Sequence, residues 1–213
     1  MQETYLPAFE ALVKEGVECV MCAYNRVDGA PACGSDVLLK DILREQWGFD
    51  GHVVSDCWAI EDFYKHHKVS KNAATSAAWA LKSGTDVNCG VSYEALPEAL
   101  AENLVDENDI DTALRRLLTT KMRLGFFDEK TAWDDAGADL VESKAHVQLS
   151  HEAAQKSVVM LKNNNVLPLK KDIRRLYVVG PHAASSDILF GNYNGLSSDT
   201  VTILDGIIGK VSV

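Results

Sequence analysis

The sequence predicts an α/β fold built from parallel βα units, and three observations predict it. Short apolar segments at residues 17–24, 51–56 and 85–89 are too brief for typical helices and alternate with amphipathic stretches. Polar residues gather at the carboxyl ends of these segments, where parallel strands deliver side chains to ligands. Past residue 142 a new helical stretch and a further apolar segment, Arg175-Leu-Tyr-Val-Val-Gly-Pro181, begin a second α/β unit.

Leu6 to Lys14 is amphipathic and stops at Gly16, so a helix precedes the first strand. Residues 25–31 (Asn-Arg-Val-Asp-Gly-Ala-Pro) form a turn-rich loop, after which Ser35 can cap a helix through Leu38, Leu39, Ile42, Leu43 and Trp47 that Gly48 ends. The second strand, Gly51-His-Val-Val-Ser-Asp56, ends on an acid. An alanine-rich helix over residues 73–82 is closed by Gly84 and leads to the third strand, residues 85–89. Two more helices follow, over residues 93–103 and from Asp109 to Gly125, the latter with Ile110, Ala113, Leu114, Leu117, Leu118 and Met122 on one stripe. Residues 126–142 break the periodicity as a linker, and residues 146–162 are again helical. Three strands before a linker cannot make a complete eight-stranded βα barrel, which takes about 200 residues or more. The first domain is therefore either a small open sheet or a piece of a longer protein.

With 46% apolar residues the chain can close a core, and with 21 basic against 31 acidic residues its net charge of −10 argues against nucleic acid and anionic membranes as partners. No apolar run approaches the roughly 18–20 residues that span a bilayer, and residues 1–10 lack the features of a signal peptide, so the sequence reads as a soluble chain. Five cysteines, all within the first 90 residues, cannot pair completely. Cys19 and Cys22 lie three apart in a strand, on opposite faces, a poor geometry for one metal, and read as small buried residues.

Asp56 is the sharpest signal, an acid at a parallel strand's carboxyl end; the plain alternative is a cap for the following loop. Tyr24, Asn25 and Arg26 end the preceding strand and Asp86 and Asn88 the following one, so three strands are expected to present polar groups on one rim. A rim without a glycine-rich phosphate cradle suits a neutral, many-hydroxyl ligand such as a sugar, and Gly191-Asn-Tyr-Asn-Gly195 lacks phosphate-loop spacing. Trp58, two residues past Asp56, reads equally as a stacking platform or a packing residue, and Trp79 and Trp133 as packing residues. His66 and His67, with Glu61 and Asp62 nearby, read as solvated loop residues, and no metal or cofactor is expected. Ser55 lacks a nucleophile elbow.

Taken together, Val20-Met-Cys-Ala-Tyr-Asn-Arg-Val-Asp-Gly29, the run from Leu38 to Asp56 ending in Trp-Gly-Phe-Asp-Gly-His-Val-Val-Ser-Asp, and Ser83-Gly-Thr-Asp-Val-Asn-Cys-Gly90 resemble glycoside hydrolase family 3. The resemblance continues in order through Lys121-Met-Arg-Leu-Gly-Phe-Phe-Asp128, Ser157-Val-Val-Met-Leu-Lys-Asn163 and Val179-Gly-Pro-His182. It implies the carboxyl-terminal part of a (β/α)8 TIM-like barrel in residues 1–125, a linker in 126–142 and the start of an α/β sandwich in 143–213, with the chain truncated at both ends. It implies a retaining, exo-acting β-glycosidase with Asp56 as nucleophile and Met21 and Tyr24 at the sugar subsite; Arg26, Cys57, Trp58 and Cys89 complete the expected substrate-binding set on the rim. The acid/base is expected outside this chain, since neither Glu61 nor Glu94 matches a family motif.

Cys57 stands where many β-glucosidase members have tryptophan, which is similar to the β-xylosidase branch. Cys57 and Cys89 follow neighbouring strands about 4.8 Å apart, so either they bond and fill the space of a hexose hydroxymethyl group or they remain two unlinked thiols. β-Xylosidase is the expected activity on a small oligosaccharide or glycoside. β-Glucosidase, α-L-arabinofuranosidase and a non-catalytic carbohydrate-binding remnant are the alternatives. Family habit and a possible disulfide favour a secreted or periplasmic location.

Overall fold

The computed structural model describes residues 1–191 and 195–210; most of the Gly191–Gly195 stretch noted above lies outside the described residues. The chain divides into two compact units, Met1–Thr131 and Ala132–Val213.

In the first unit, helix α1 (Leu6–Lys14) leads into strand β1 (Cys19–Cys22). A two-stranded hairpin follows, β2 (Arg26–Val27) and β3 (Ala30–Pro31), turned by Asp28 and Gly29, both at positive φ. Asp-Gly is the pair that a type I′ hairpin turn selects, which resolves the predicted loop into a hairpin. Residues 37–46 form a helix with π winding, Trp47 N donating to Ile42 O at 3.1 Å, and Ser35 Oγ accepts the Leu38 amide at its start. Strand β4 (His52–Ser55) pairs parallel with β1, Met21 opposite Val54 and Cys22 opposite Ser55. A parallel bridge between Val54 and Val87 adds residues 85–89 on the far side of β4 as a minimal third strand. Helices α2 (Asp62–Lys65), α3 (Ala73–Lys82), α4 (Leu96–Ala101) and α5 (Glu107–Arg123) complete the unit. Helix α3 is held at its start by a reciprocal cap between Asn72 and Thr75, and α5 by one between Asp106 and Asp109.

The core lies where β4 meets the helices: Val53, Ile60 and Phe63 are essentially inaccessible and pack with Leu39, Leu43 and Phe49. Strand alternation sends Val53 and Ser55 into this core and leaves His52 and Val54 half-exposed on the other face. A second cluster of Ala74, Ala78, Leu81, Ala99, Val105 and Ala113 joins α3, α4 and α5. Small residues on α3 let its neighbours approach closely.

In the second unit α6 (Lys144–Ser157) is capped by Ser143 and α7 (Ile203–Ile208) by a reciprocal cap between Thr202 and Asp205. No described residue there is buried. The predicted helix over 146–162 ends at Ser157, and the predicted strand at 175–181 is not formed among the described residues. A strand exists only through the partner that takes its backbone hydrogen bonds, and none of the described residues supplies one. No helix of the described residues is long and apolar enough to cross a membrane.

Candidate active site

Asp56 follows the last residue of β4, half-buried, with its amide donating to Cys22 O of β1 at 2.9 Å and its Oδ1 accepting the Cys57 amide at 2.7 Å. Both bonds restrict the carboxylate: the first fixes its backbone, and the second orients its plane and leaves Oδ2 directed elsewhere. Ser55 Oγ, buried beneath, accepts the Cys89 amide at 2.9 Å and the Asn88 side-chain amide at 3.2 Å, tying β4 to the third strand. Cys57 and Cys89 are joined by a disulfide, their Cα atoms 4.3 Å apart, so the segment after Asp56 is held covalently to the neighbouring strand end.

Trp58 donates its amide to Cys89 O at 2.7 Å and sits in the left-handed region at φ 71° with its side chain half-exposed. Its ring lies against Gly90, itself at φ 129°, where a Cβ would stand 3.1 Å from the indole. A bulky residue held at positive φ costs about 1–3 kcal/mol, and such strain gathers at functional sites. Tyr24 donates its hydroxyl to Cys57 O at 2.5 Å. Tyr24, Asp56, Cys57, Trp58 and Cys89 thus form one connected group at the carboxyl end of the sheet. The register puts Met21 opposite Val54, two residues before Asp56 and on the same sheet face, and its side chain is 56% exposed. Arg26 lies on the hairpin and, with Met21 and Asn25, lines a cavity of about 670 Å³ walled mainly by apolar residues of α1, β1 and the π-wound helix. Among the described residues no hydrogen bond or ion pair joins Arg26 to the Asp56 group, and no ion pair reaches Asp56.

Asp86 is a correction to the expected rim. Its carboxylate is turned toward the helices, where Oδ2 accepts from Arg44 Nη2 and from the Val53 amide, and Oδ1 from Arg116 Nη1, each at 2.8 Å. One step along a strand reverses the face, and the predicted grouping took the wrong one. Desolvation pulls the Arg44 guanidinium below its ordinary range, partly opposed by the Asp86 charge. Desolvation beneath the same strand pushes the Tyr93 phenol well above its ordinary range, with the Asp86 charge adding to it, and the Tyr93 hydroxyl donates to Thr85 O. Asn88 serves as a brace, accepting the Tyr93 amide at 3.2 Å. At the opposite, amino end of the sheet, Thr120 Oγ1 donates to Glu18 at 2.8 Å and Arg123 to both Glu18 oxygens, holding that carboxyl below its usual range.

A model of the glycosyl hydrolase family 3 N-terminal domain matches residues 1–120, and one of the family 3 C-terminal domain matches residues 158–212. The chain belongs to glycosyl hydrolase family 3. The family 3 chain is 44% identical over 214 residues to a xylan 1,4-β-xylosidase of Xylanibacter ruminicola, with 98% of this chain and 25% of that protein covered. It is 40% identical to a probable β-D-xylosidase of Arabidopsis thaliana, over 97% of this chain and 28% of that protein. Its structure resembles that of a family 3 exo-β-xylosidase in complex with a xylobiose aziridine probe, at TM-score 0.80 and 34% identity, covering 91% of this chain and 26% of that one. It also resembles a β-glucosidase of Listeria innocua in complex with glucose, at TM-score 0.80 and 31% identity, covering 97% and 29%. The chain therefore spans about a quarter of the length of the curated relatives it matches.

Two features of this family 3 site escape the sequence. Cys22 and Cys33 form a second disulfide, both buried, closing the loop that carries Tyr24 and Arg26; the fifth cysteine, Cys19, is a free, half-buried thiol whose pKa burial raises. An odd cysteine count names no pairs, although two cysteines flanking a turn-rich loop were a usable signal. His67, expected as a solvated loop residue, bonds through Nε2 to Tyr24 O at 2.8 Å, while His66 faces Asp62 at 3.6 Å. No group of three potential metal ligands occurs among the described residues.

Proposed function

We propose that this segment supplies the nucleophile side of a retaining, exo-acting β-glycosidase active site, with Asp56 as nucleophile and terminal β-xylosides as the preferred substrates. The observation that carries this reading is the carboxylate of Asp56 at the carboxyl end of a parallel strand, with its backbone fixed by Cys22 O and one oxygen held by the Cys57 amide. In the proposed reaction the free Oδ2 attacks the anomeric carbon as the bond to the leaving oxygen breaks. An acid from elsewhere in the whole protein protonates that oxygen, and a water deprotonated by the same group then releases the sugar from its ester with Asp56. The two carboxyl groups of such a pair stand about 5–5.5 Å apart.

The β-xylosidase relatives support the xyloside preference, and the Cys57–Cys89 disulfide offers a physical basis for it. Two sulfur atoms beside the carboxylate occupy volume that a hexose hydroxymethyl group would need and a pentose would not. Within this reading Met21, Tyr24, Arg26 and Trp58 contact the sugar or its aglycone. Residues 1–125 are the carboxyl-terminal part of the barrel, 126–142 the linker and 143–213 the start of the sandwich domain.

The test uses the longest source polypeptide that carries these 213 residues, assayed on 4-nitrophenyl β-xyloside, β-glucoside and α-L-arabinofuranoside. Turnover should be fastest on the β-xyloside and abolished in Asp56→Ala, and a 2-deoxy-2-fluoro-xylosyl label should appear on the peptide containing Asp56. Absence of turnover on all three, with sugar binding retained, would identify a carbohydrate-binding remnant instead.

A further inference from the structure

We propose that His67 is a positioning residue for this site, acting on Asp56 through Tyr24; the inference rests on the function proposed above. A backbone carbonyl can only accept, so the contact between His67 and Tyr24 O makes Nε2 the donor. Tyr24 in turn donates its hydroxyl to Cys57 O, and the Cys57 amide donates to Asp56 Oδ1. His67, Tyr24, Cys57 and Asp56 therefore form an unbroken line from the segment after α2, across the end of β1, to the end of β4.

The outer end of this line is rigid. The His67 amide donates to Asp62 O at 2.7 Å, closing α2. Phe63 of α2 is 1% exposed and meets the edge of Trp79 at a centroid distance of 5.4 Å. The Trp79 indole is itself fixed by a 2.8 Å bond to Gly34 O. Tyr24 is tethered from the other side as well, because the Cys22–Cys33 disulfide closes its loop and the Ala32 amide donates to Asn25 O at 2.9 Å. Covalent closure sets where the Tyr24 loop begins and ends; the His67 bond sets the tilt of the peptide that aims the phenol at Cys57. A side chain that secures another residue's geometry from a packed element supplies preorganisation, which weighs more in the transition state than in substrate binding.

The sequence contains its own control. His66 is the same residue type one position away, but it faces Asp62 and among the described residues makes no hydrogen bond to the Asp56 group. In the longest source polypeptide, His67→Ala is expected to lower kcat about ten-fold with KM held within about two-fold, the scale of one lost hydrogen bond. His67→Gln, whose amide can donate to the same carbonyl, should recover most of the rate, and His66→Ala should leave it unchanged. Thermal midpoints should agree among the four proteins. Wild-type kcat in His67→Ala, a His67→Gln as slow as His67→Ala, or a rate loss that follows a fall in thermal midpoint would each overturn the assignment. The parent and Asp56→Ala are run alongside. A parent without turnover ends the glycosidase reading and this inference with it, whereas a silent His67→Ala in an active, Asp56-dependent parent ends this inference alone.

Discussion

Replacing Asp86 by asparagine keeps the side-chain shape and removes one charge from the interior of the first unit. The carboxylate is 1% exposed and receives Arg44, Arg116 and the Val53 amide. Asparagine has one acceptor oxygen, so at least one guanidinium loses its partner, and both lose their counter-charge. Breaking a buried ion pair from one side costs about 3–5 kcal/mol. The Arg116 side chain is 28% exposed and can turn partly to water, whereas Arg44 at 12% is confined between the carbonyls of Phe49 and Gly51, which places the expected cost near the lower bound. For a unit of this size each kcal/mol moves the midpoint by about 3–5 °C, so Asp86→Asn should melt about 10 °C below the parent. Circular dichroism melts of the longest source polypeptide measure this directly. The triple change Asp86→Leu, Arg44→Met, Arg116→Met should recover only part of the loss, because it removes the unpaired buried charges but leaves the Val53 amide without its acceptor. A midpoint for Asp86→Asn within about 2 °C of the parent would refute the argument that this cluster is held by its charge.

Gly51 sits where a Cβ would fall 2.2 Å from Glu18 O, so Gly51→Ala must shift β4 from its partner and should cost about 1–3 kcal/mol, read as a lower urea midpoint. Glu18 is held below its ordinary pKa of 4.5 by Thr120 and then Arg123. A depressed carboxyl contributes stability above its unfolded pKa and loses it as pH falls through the folded one. Glu18→Gln should therefore melt lower than the parent at neutral pH, and the gap should close as pH drops below 4.5. Iodoacetamide on the unreduced, denatured chain should add one label, on Cys19, and five after reduction; three or more before reduction would contradict the two disulfides.

Most of the first unit's order was legible because its signals are local. Val53, Val54 and Ser55 between glycine and an acid read as a parallel strand, and the alanine-rich run over residues 73–82 read as the helix that forms there. Asp56 was legible for the same reason, since the end of a strand can be read from the strand itself. What was not legible depended on partners remote in sequence. Asp86 was assigned to the rim because nothing local states which face of so short a segment meets Arg44 and Arg116, 42 and 30 positions away. Residues 175–181 read as a strand because their composition is strand-like, but composition cannot provide a neighbour. The π winding of residues 37–46 was hidden because Leu38, Leu39, Ile42 and Leu43 form the same apolar stripe in either winding. His67 could not be distinguished from His66 without knowing which carbonyl stood opposite.

The indole of Trp58 resting on Gly90 constrains the history of both positions. A side chain acquired first at residue 90 would sit at a strained φ of 129° and press on the ring at 3.1 Å, and loss of the tryptophan first would leave residue 58 in a left-handed backbone with nothing seated on the glycine. Neither position can drift freely while the other stays, so descendants of this sequence should keep the pair or abandon it together. Between those two outcomes lies an intermediate with a disturbed segment next to Asp56, and any cost would fall on that intermediate rather than on either end point.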